Sequence, residues 1–264
     1  MRDKVNIYRE PLFIRFAGID QSDTLTPASA CDLFQEAAIT HAELLGVGRN
    51  AMRETGQVWI LSRLSVFMEQ RPRFGEKVLI RTWPRGSNKL FAIRDYDIHI
   101  DNTAGMEDPG TAIVRGRSAW LIVDIEKHRP LRPQPVVEKF PLNEGLNALD
   151  NEVPPSLAVR TFSAEPVLRR AVYSDIDYNA HVNNTRYIQW IQDLLDPKLL
   201  EMAKKIRLDI NYLLEVRYGE TIKLYAEPIA ADTTALPELC TAAFAIEGRR
   251  DNVPVFRAEL RLWN

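Results

Sequence analysis

One stretch of this chain is written twice at a constant spacing, and that repeat limits the folds open to it. Residues 63–84 read RLSVFMEQRPRFGEKVLIRTWP and residues 207–228 read RLDINYLLEVRYGETIKLYAEP, a gapless offset of 144 (207 − 63). Gly75 matches Gly219 in a turn that apolar residues flank in both copies. Internal similarity at a fixed spacing predicts two copies of one structural unit. The length of 264 residues also suits two domains of ordinary size.

A helical pattern precedes the repeated stretch in both copies. In the first copy, Thr26 with a proline after it is typical of a helix start, and Gly46 is a natural helix stop. In the second copy, apolar residues recur at helical spacing within 187–195, behind Asn183 or Asn184 as the cap. Each copy is therefore predicted to contain one principal helix.

Apolar and polar residues then alternate along each copy, as in strands with one buried face. The apolar set in the second copy is Leu208, Ile210, Tyr212 and Leu214. Further strands are predicted over 95–100, 112–123, 241–247 and 255–263. One helix followed by several antiparallel strands is an α+β unit in which a sheet wraps a single helix. The predicted fold class is α+β, with two such units in tandem.

A proline-rich segment separates the two copies. Six prolines fall within Arg129–Ser156, and proline at that density is typical of an extended linker rather than of a central strand. The predicted organisation is an N-terminal domain over 1–130, a linker over 131–160 and a C-terminal domain over 161–264.

Composition narrows the class of protein. The formal net charge of −2 excludes a strongly basic nucleic-acid binder. The two cysteines, Cys31 and Cys240, are far apart in sequence, which argues against a disulfide scaffold or a zinc site and fits a reducing compartment. No run of about 18 apolar residues occurs, and residues 1–16 lack the apolar core of a signal peptide. We therefore expect a cytoplasmic protein with no membrane span and no nucleic-acid partner.

The densest polar segment is Ser174–Asn184, which reads SDIDYNAHVNN and leads into the second predicted helix. In an extended loop, the alternate positions of Asp177, Asn179 and His181 place the three side chains on one side. A helix N-terminus offers backbone N–H donors and partial positive charge, which suit an acyl oxygen that becomes an oxyanion. The alternative is a purely structural loop, since Asp and Asn are common turn and cap residues.

The longer stretch SDIDYNAHVNNTRYIQW resembles the Asp-x-Asn-x-His-Val-Asn-Asn-x-x-Tyr-Ile signature of acyl-acyl-carrier-protein thioesterases. The resemblance covers most of the chain, including Trp59–Arg63 with Glu76, Ser118–Asp124 followed by Arg129–Leu131, and Leu208–Glu215. It implies a double hotdog fold, which agrees with the repeat, and it implies no metal and no organic cofactor.

The same resemblance implies a catalytic set of Asp177, Asn179, His181 and Glu215. Plant members carry a cysteine after this glutamate, whereas this chain has Val216, so a thiol mechanism is not expected here. Glu215, together with His181, is the expected general base on a water molecule. Asp177 either orients its neighbours or attacks the thioester itself. We expect the four side chains to meet at the junction of the two units.

The activity that the resemblance implies is hydrolysis of fatty acyl-carrier-protein thioesters to free fatty acid and carrier protein, which terminates chain elongation. The N-terminal copy would line the acyl pocket. The expected partner is an acyl carrier protein, whose acidic surface three basic clusters could bind: Arg129/Arg132, Arg169/Arg170 and Lys204/Lys205/Arg207. A homodimer is also possible. The alternatives are an acyl-coenzyme A thioesterase of the same fold, a hotdog dehydratase or hydratase, and a non-catalytic acyl-binding protein.

Overall fold

The computed structural model describes residues 6–101, 110–140, 143, 145–230 and 240–264, and all eleven strands in them join one antiparallel sheet. The strands are β1 (Tyr8–Phe13), β2 (Gln57–Met68), β3 (Lys77–Asn88), β4 (Phe91–Ile100), β5 (Ala112–Asp124), β6 (Arg129–Leu131), β7 (Val167–Arg170), β8 (Lys205–Tyr212), β9 (Thr221–Pro228), β10 (Ala242–Arg250) and β11 (Val253–Trp263). The helices are α1 (Pro27–Leu44), α2 (Arg49–Glu54), α3 (Gln134–Val137), α4 (Asn184–Asp193) and α5 (Pro197–Met202). No helix in the described part of the chain is long and apolar enough to cross a membrane.

The strand order shows the predicted duplication directly. The first copy runs β1-β3-β4-β5-β2 and the second runs β8-β11-β10-β9-β7. Equivalent strands of the two copies therefore follow in opposite order on either side of the β2–β8 pair. At the centre of that pair Ser65 lies opposite Asp209, and 209 − 65 equals the sequence offset of 144. Each of these two residues is the repeat equivalent of the other, so the local twofold axis passes between them. The Ser65 Oγ donates to Asp209 Oδ1 across the axis at 2.5 Å.

Both principal helices begin where the sequence predicts. Thr26 caps α1, and Pro27 occupies its first turn, where the missing N–H has no helical partner to lose. Gly46 follows the end of α1 with a φ of +72°, a left-handed conformation that glycine adopts without steric cost. Asn183 caps α4 by accepting from the N–H of Thr185 at 3.0 Å. The predicted helices and caps are confirmed.

The two helices share a single core against the concave face of the sheet. This core contains buried residues of α1, of α4 and of strands from both copies. Phe34 of α1 stacks on Tyr96 of β4 with ring centroids 4.7 Å apart. The Gln192 side chain of α4 accepts from the N–H of Ala28 at the start of α1, at 2.8 Å. The copies are therefore joined through their helices as well as through the sheet.

The repeated strands end in a bulge that the sequence pattern did not predict. β8 ends at Tyr212, and the N–H groups of Leu213 and Leu214 both donate to the carbonyl of Val255, at 2.9 and 3.1 Å. The first copy has the same arrangement on the carbonyl of Ile113. Leu214 is 44% exposed, so the prediction that it continues the buried face is wrong. The physical reason is that a bulge inserts one unpaired residue and disrupts the ladder, so Leu213 and Leu214 both leave the buried face, at 40% and 44% exposure.

The proline-rich segment is not extended throughout, because β6 pairs with β5 and α3 forms one short helical turn. Its later part crosses the outer face of the sheet. There the N–H of Ala148 donates to Asp95 at 2.9 Å, and the Asn211 side chain bonds to the backbone of Pro155 and Leu157. The segment therefore covers polar side chains that alternation alone would place in water. The division into 1–130, 131–160 and 161–264 stays a prediction.

Candidate active site

The polar segment Ser174–Asn184 forms a tight turn before α4. The N–H of Asp177 donates to the carbonyl of His181 at 2.9 Å, and the N–H of Ala180 donates to the carbonyl of Asp177 at 3.0 Å. Ala180 has a φ of +64°. The prediction of an extended loop is wrong, because these two backbone hydrogen bonds fold the segment back on itself.

The turn lies beside the chain that follows the β8 bulge. The N–H of Val182 donates to the carbonyl of Val216 at 2.8 Å, and His181 forms an antiparallel bridge with Arg217. This short pairing aligns two segments that are 34 residues apart (215 − 181), and it places Glu215 next to His181.

The side chains of His181 and Glu215 lie within ion-pairing distance of each other. The His181 Nε2 is 2.9 Å from Glu215 Oε2, and the side chains are 23% and 55% exposed. The Glu215 backbone carbonyl also accepts from Arg250 Nη1 at 3.1 Å, which fixes the chain at that point. A carboxylate in contact with both an imidazole and solvent is able to take a proton from a water molecule.

Asp177 and Asn179 form a second pair within the turn. Asp177 Oδ1 accepts from the backbone N–H of Asn179 at 2.8 Å, which is an Asx turn. Asn179 Oδ1 accepts from Arg53 Nη2 of α2 at 3.4 Å. The backbone N–H of Asp177 donates to the His181 carbonyl, but among the described residues no side-chain hydrogen bond links Asp177 or Asn179 to His181 or Glu215. The structure thus places three of the four predicted residues on the turn and Glu215 on the segment beside it, as the pairs Asp177/Asn179 and His181/Glu215.

The equivalent turn of the first copy has different chemistry. It repeats the same backbone hydrogen bonds, with Asp20 at the position of Asp177 and Thr24 at the position of His181. Arg71 lies at the repeat position of Glu215 (215 − 71 = 144) and forms an ion pair with Asp20. Burial opposes the charged form of Asp20, but hydrogen bonds from Ser22 and the charge of Arg71 outweigh it and lower the pKa of Asp20. Of the two turns, the second therefore carries the histidine–carboxylate pair.

A small, mostly apolar cavity of about 20 Å³ is lined in part by Asn184, the first residue of α4 and three residues after His181. The first copy lines it with Cys31, Phe34, Leu61, Leu64, Tyr96 and Trp120. The second copy contributes Asn184, Thr185 and Tyr212. The four predicted site residues do not line this cavity, and Asn184 is the lining residue that follows the polar turn in the chain.

Both cysteines are buried free thiols. Burial, together with the nearby charge of Asp32, raises the pKa of Cys31 and disfavours its thiolate. Val216 is fully buried and is the next residue after Glu215.

Sequence reasoning missed the arginines of α2. Arg49 lies over the ring of Tyr178, 3.8 Å from its centroid, and Arg53 contacts Asn179. These contacts span 126 residues or more, and no local pattern in the chain connects α2 with the turn.

The duplicated helix-and-sheet unit, together with a polar turn that leads into the second helix, defines a tandem hotdog protein of the thioesterase type. Residues 5–139 match the acyl-ACP thioesterase N-terminal domain, and residues 166–253 match the acyl-ACP thioesterase C-terminal domain. The chain belongs to the acyl-ACP thioesterase family.

Two plant thioesterases are similar to this chain in sequence. A chloroplastic palmitoyl-acyl carrier protein thioesterase of Cuphea hookeriana is 25% identical over 228 residues, which cover 79% of this chain and 52% of the relative. A chloroplastic oleoyl-acyl carrier protein thioesterase of Coriandrum sativum is 23% identical over 273 residues, covering 93% of this chain and 70% of the relative. The chain thus spans about half the length of the Cuphea enzyme.

Solved structures confirm the fold. An acyl-ACP thioesterase of Bacteroides thetaiotaomicron superposes with a TM-score of 0.82 at 22% identity, covering 98% of both chains. The 12:0-ACP thioesterase of Umbellularia californica superposes with a TM-score of 0.79 at 18% identity, covering 97% of this chain and 94% of that one. The predicted double hotdog fold is therefore confirmed.

Proposed function

We propose that this protein hydrolyses fatty acyl-carrier-protein thioesters to free fatty acid and carrier protein, and so terminates chain elongation. The observation that carries the proposal is the His181–Glu215 pair, 2.9 Å apart beside an apolar cavity at the start of α4. Membership of the acyl-ACP thioesterase family supports the same conclusion.

In the proposed mechanism, Glu215 acts as general base, with His181 holding its carboxylate in place. Glu215 takes a proton from water as the water oxygen attacks the thioester carbon. The carbon–sulfur bond then breaks, and the leaving sulfur takes that proton from Glu215 to form the carrier thiol. A positioned base of this kind contributes about 10²–10⁴-fold. The exposure of Glu215 admits the water that the step consumes.

The developing negative charge on the acyl oxygen needs donors. We assign this role to the Asn179 side-chain amide and to backbone N–H groups at the start of α4, one donor contributing about 10²–10³-fold. Asp177 holds the backbone N–H of Asn179 at 2.8 Å, which supports the orienting role for Asp177 rather than attack on the thioester.

The acyl chain would enter the cavity between α1 and the sheet of the first copy. Phe34 limits the cavity on the side of Gly116. Its ring packs on Gly116 so closely that a Cβ added to this glycine would lie 2.5 Å from Phe34 Cε2. Each buried methylene contributes about 0.8 kcal/mol, roughly fourfold in affinity, so a sharp chain-length limit requires a steric floor of this kind.

The Phe34→Leu variant is expected to shift the released fatty acids toward longer chains, because a smaller side chain deepens the cavity. The Gly116→Ala variant is expected to shift them toward shorter chains, because the added methyl displaces the Phe34 ring. The measurement is the chain-length distribution of the free fatty acids by mass spectrometry. Phe256→Leu is the matched control: Phe256 is equally buried and packs on Gly248 of the second copy, outside the cavity lining. An unchanged distribution in both Phe34→Leu and Gly116→Ala would remove Phe34 as the floor.

The Cys31→Ser, Cys240→Ser double variant is expected to keep near-normal turnover, because both thiols are buried and burial raises the pKa of Cys31, which disfavours its thiolate. For the same reason, iodoacetamide is expected to leave the native enzyme active. Initial rates on an acyl-carrier-protein substrate before and after treatment measure both effects. Loss of turnover in a folded double variant would favour a thiol mechanism over water attack.

A panel of carrier proteins loaded with acyl chains of different length tests the activity itself, with mass-spectrometric detection of the free acids. Matched acyl-coenzyme A substrates decide between the two thioester classes. Binding of acyl-carrier protein without release of acid would indicate a non-catalytic acyl-binding protein instead.

Arg169 and Arg207 of the predicted docking clusters already pair with Asp175 and Asp209, at 3.7 and 3.0 Å. Docking clusters, homodimer and cytoplasmic location stay predictions.

A further inference from the structure

We propose that Arg53 is a positioning residue for hydrolysis, and that it acts by fixing the side-chain amide of Asn179. This inference rests on the proposed function, and it gives the first copy a part in a site whose other polar residues come from the second. The motivating contact is the 3.4 Å hydrogen bond from Arg53 Nη2 to Asn179 Oδ1.

The chemistry of the two side chains determines which way the amide faces. A guanidinium has five N–H donors and no acceptor, so the Asn179 atom that faces Arg53 must be the oxygen. The NH₂ group of Asn179 then points away from α2, and among the described residues it has no acceptor within hydrogen-bond distance. An amide held in this orientation presents its donors to an acyl oxygen. Without Arg53, the amide is free to rotate and to present its oxygen, which repels a developing oxyanion.

A second contact from the same helix supports this role for α2. Arg49 lies one turn before Arg53, and its guanidinium is 3.8 Å from the ring centroid of Tyr178 in the polar turn. Two adjacent residues of the turn are therefore held by two arginines on one face of α2. Among the described residues, neither arginine forms an ion pair with a carboxylate, so both are available for these contacts.

The Arg53→Ala variant is expected to lower kcat about tenfold with little change in KM, because the amide orientation matters most when charge develops on the acyl oxygen. Arg53→Lys is expected to recover part of the loss, since an ammonium group also donates. Arg9→Ala is the matched control: Arg9 is an exposed arginine on β1, in the same copy. Steady-state kinetics on one acyl-carrier-protein substrate, with circular dichroism as the check on folding, provides the measurement.

A double-mutant cycle shows whether Arg53 acts through Asn179. The Arg53→Ala, Asn179→Ala double variant is expected to be no slower than Asn179→Ala alone. Losses that multiply would show that Arg53 acts independently, and the inference would be overturned. Full turnover in the Arg53→Ala variant would also overturn the inference if the Asn179→Ala variant is impaired. Full turnover in the Asn179→Ala variant would instead remove the amide from the proposed mechanism. Absence of hydrolysis by the unaltered protein would refute the proposed function. Either result would also overturn this inference.

Discussion

Replacing Glu215 by Gln is expected to lower the turnover of an acyl-carrier-protein thioester by about 10²–10⁴-fold, the usual contribution of a positioned base. The variant keeps the size of the side chain and can still contact His181 Nε2, but it cannot accept a proton from water. Folding is expected to survive, because the Glu215 side chain is 55% exposed and lies outside the core. Single-turnover release of fatty acid measures the chemical step directly.

His181→Ala is expected to cause a loss of similar size. The double variant is expected to be little worse than either single variant, because residues that act as a unit are not additive. Glu126→Gln is the control, since Glu126 is an exposed glutamate in the turn between β5 and β6. Undiminished turnover in a folded Glu215→Gln variant would exclude Glu215 as the base.

Replacing Asp95 by Ala is expected to reduce the free energy of unfolding by about 3–5 kcal/mol, because it leaves a buried guanidinium without its counter-charge. Arg117 is 1% exposed and binds both oxygens of Asp95, through Nε and Nη2 at 2.6 Å each. The substitution also removes the acceptor for the N–H of Ala148, and with it a contact that attaches the proline-rich segment to the sheet.

Urea unfolding, followed by circular dichroism, measures this loss. Lys127→Ala is the matched control, because Lys127 belongs to an exposed pair with Asp124 at 3.9 Å and its removal is expected to cost about 0–1 kcal/mol. A loss for Asp95→Ala no greater than the control would show that water enters and solvates Arg117.

The sequence alone determined features that are encoded within a few residues. The caps Thr26 and Asn183, the stop at Gly46 and the strand alternation are local signals. The strand pattern of residues 63–84 recurs in the second copy at the constant offset of 144. The fold could be predicted from these signals because each one depends only on residues that are close in sequence. The motif also located the polar turn with His181, since its residues are neighbours in sequence.

Tertiary structure decided how the polar residues are grouped. The contact of His181 with Glu215 depends on the pairing of the turn with the chain beyond the β8 bulge. The alternation of apolar and polar residues did not predict this bulge. In the first copy Arg71 lies at the position of Glu215 and pairs with Asp20, the equivalent of Asp177, so a similar backbone supports different chemistry. The contact of Arg53 with Asn179 joins α2 to the polar turn, 126 residues later in the chain. Contacts of this kind depend on strand register and helix packing, which involve the whole chain, and a local sequence pattern does not contain them.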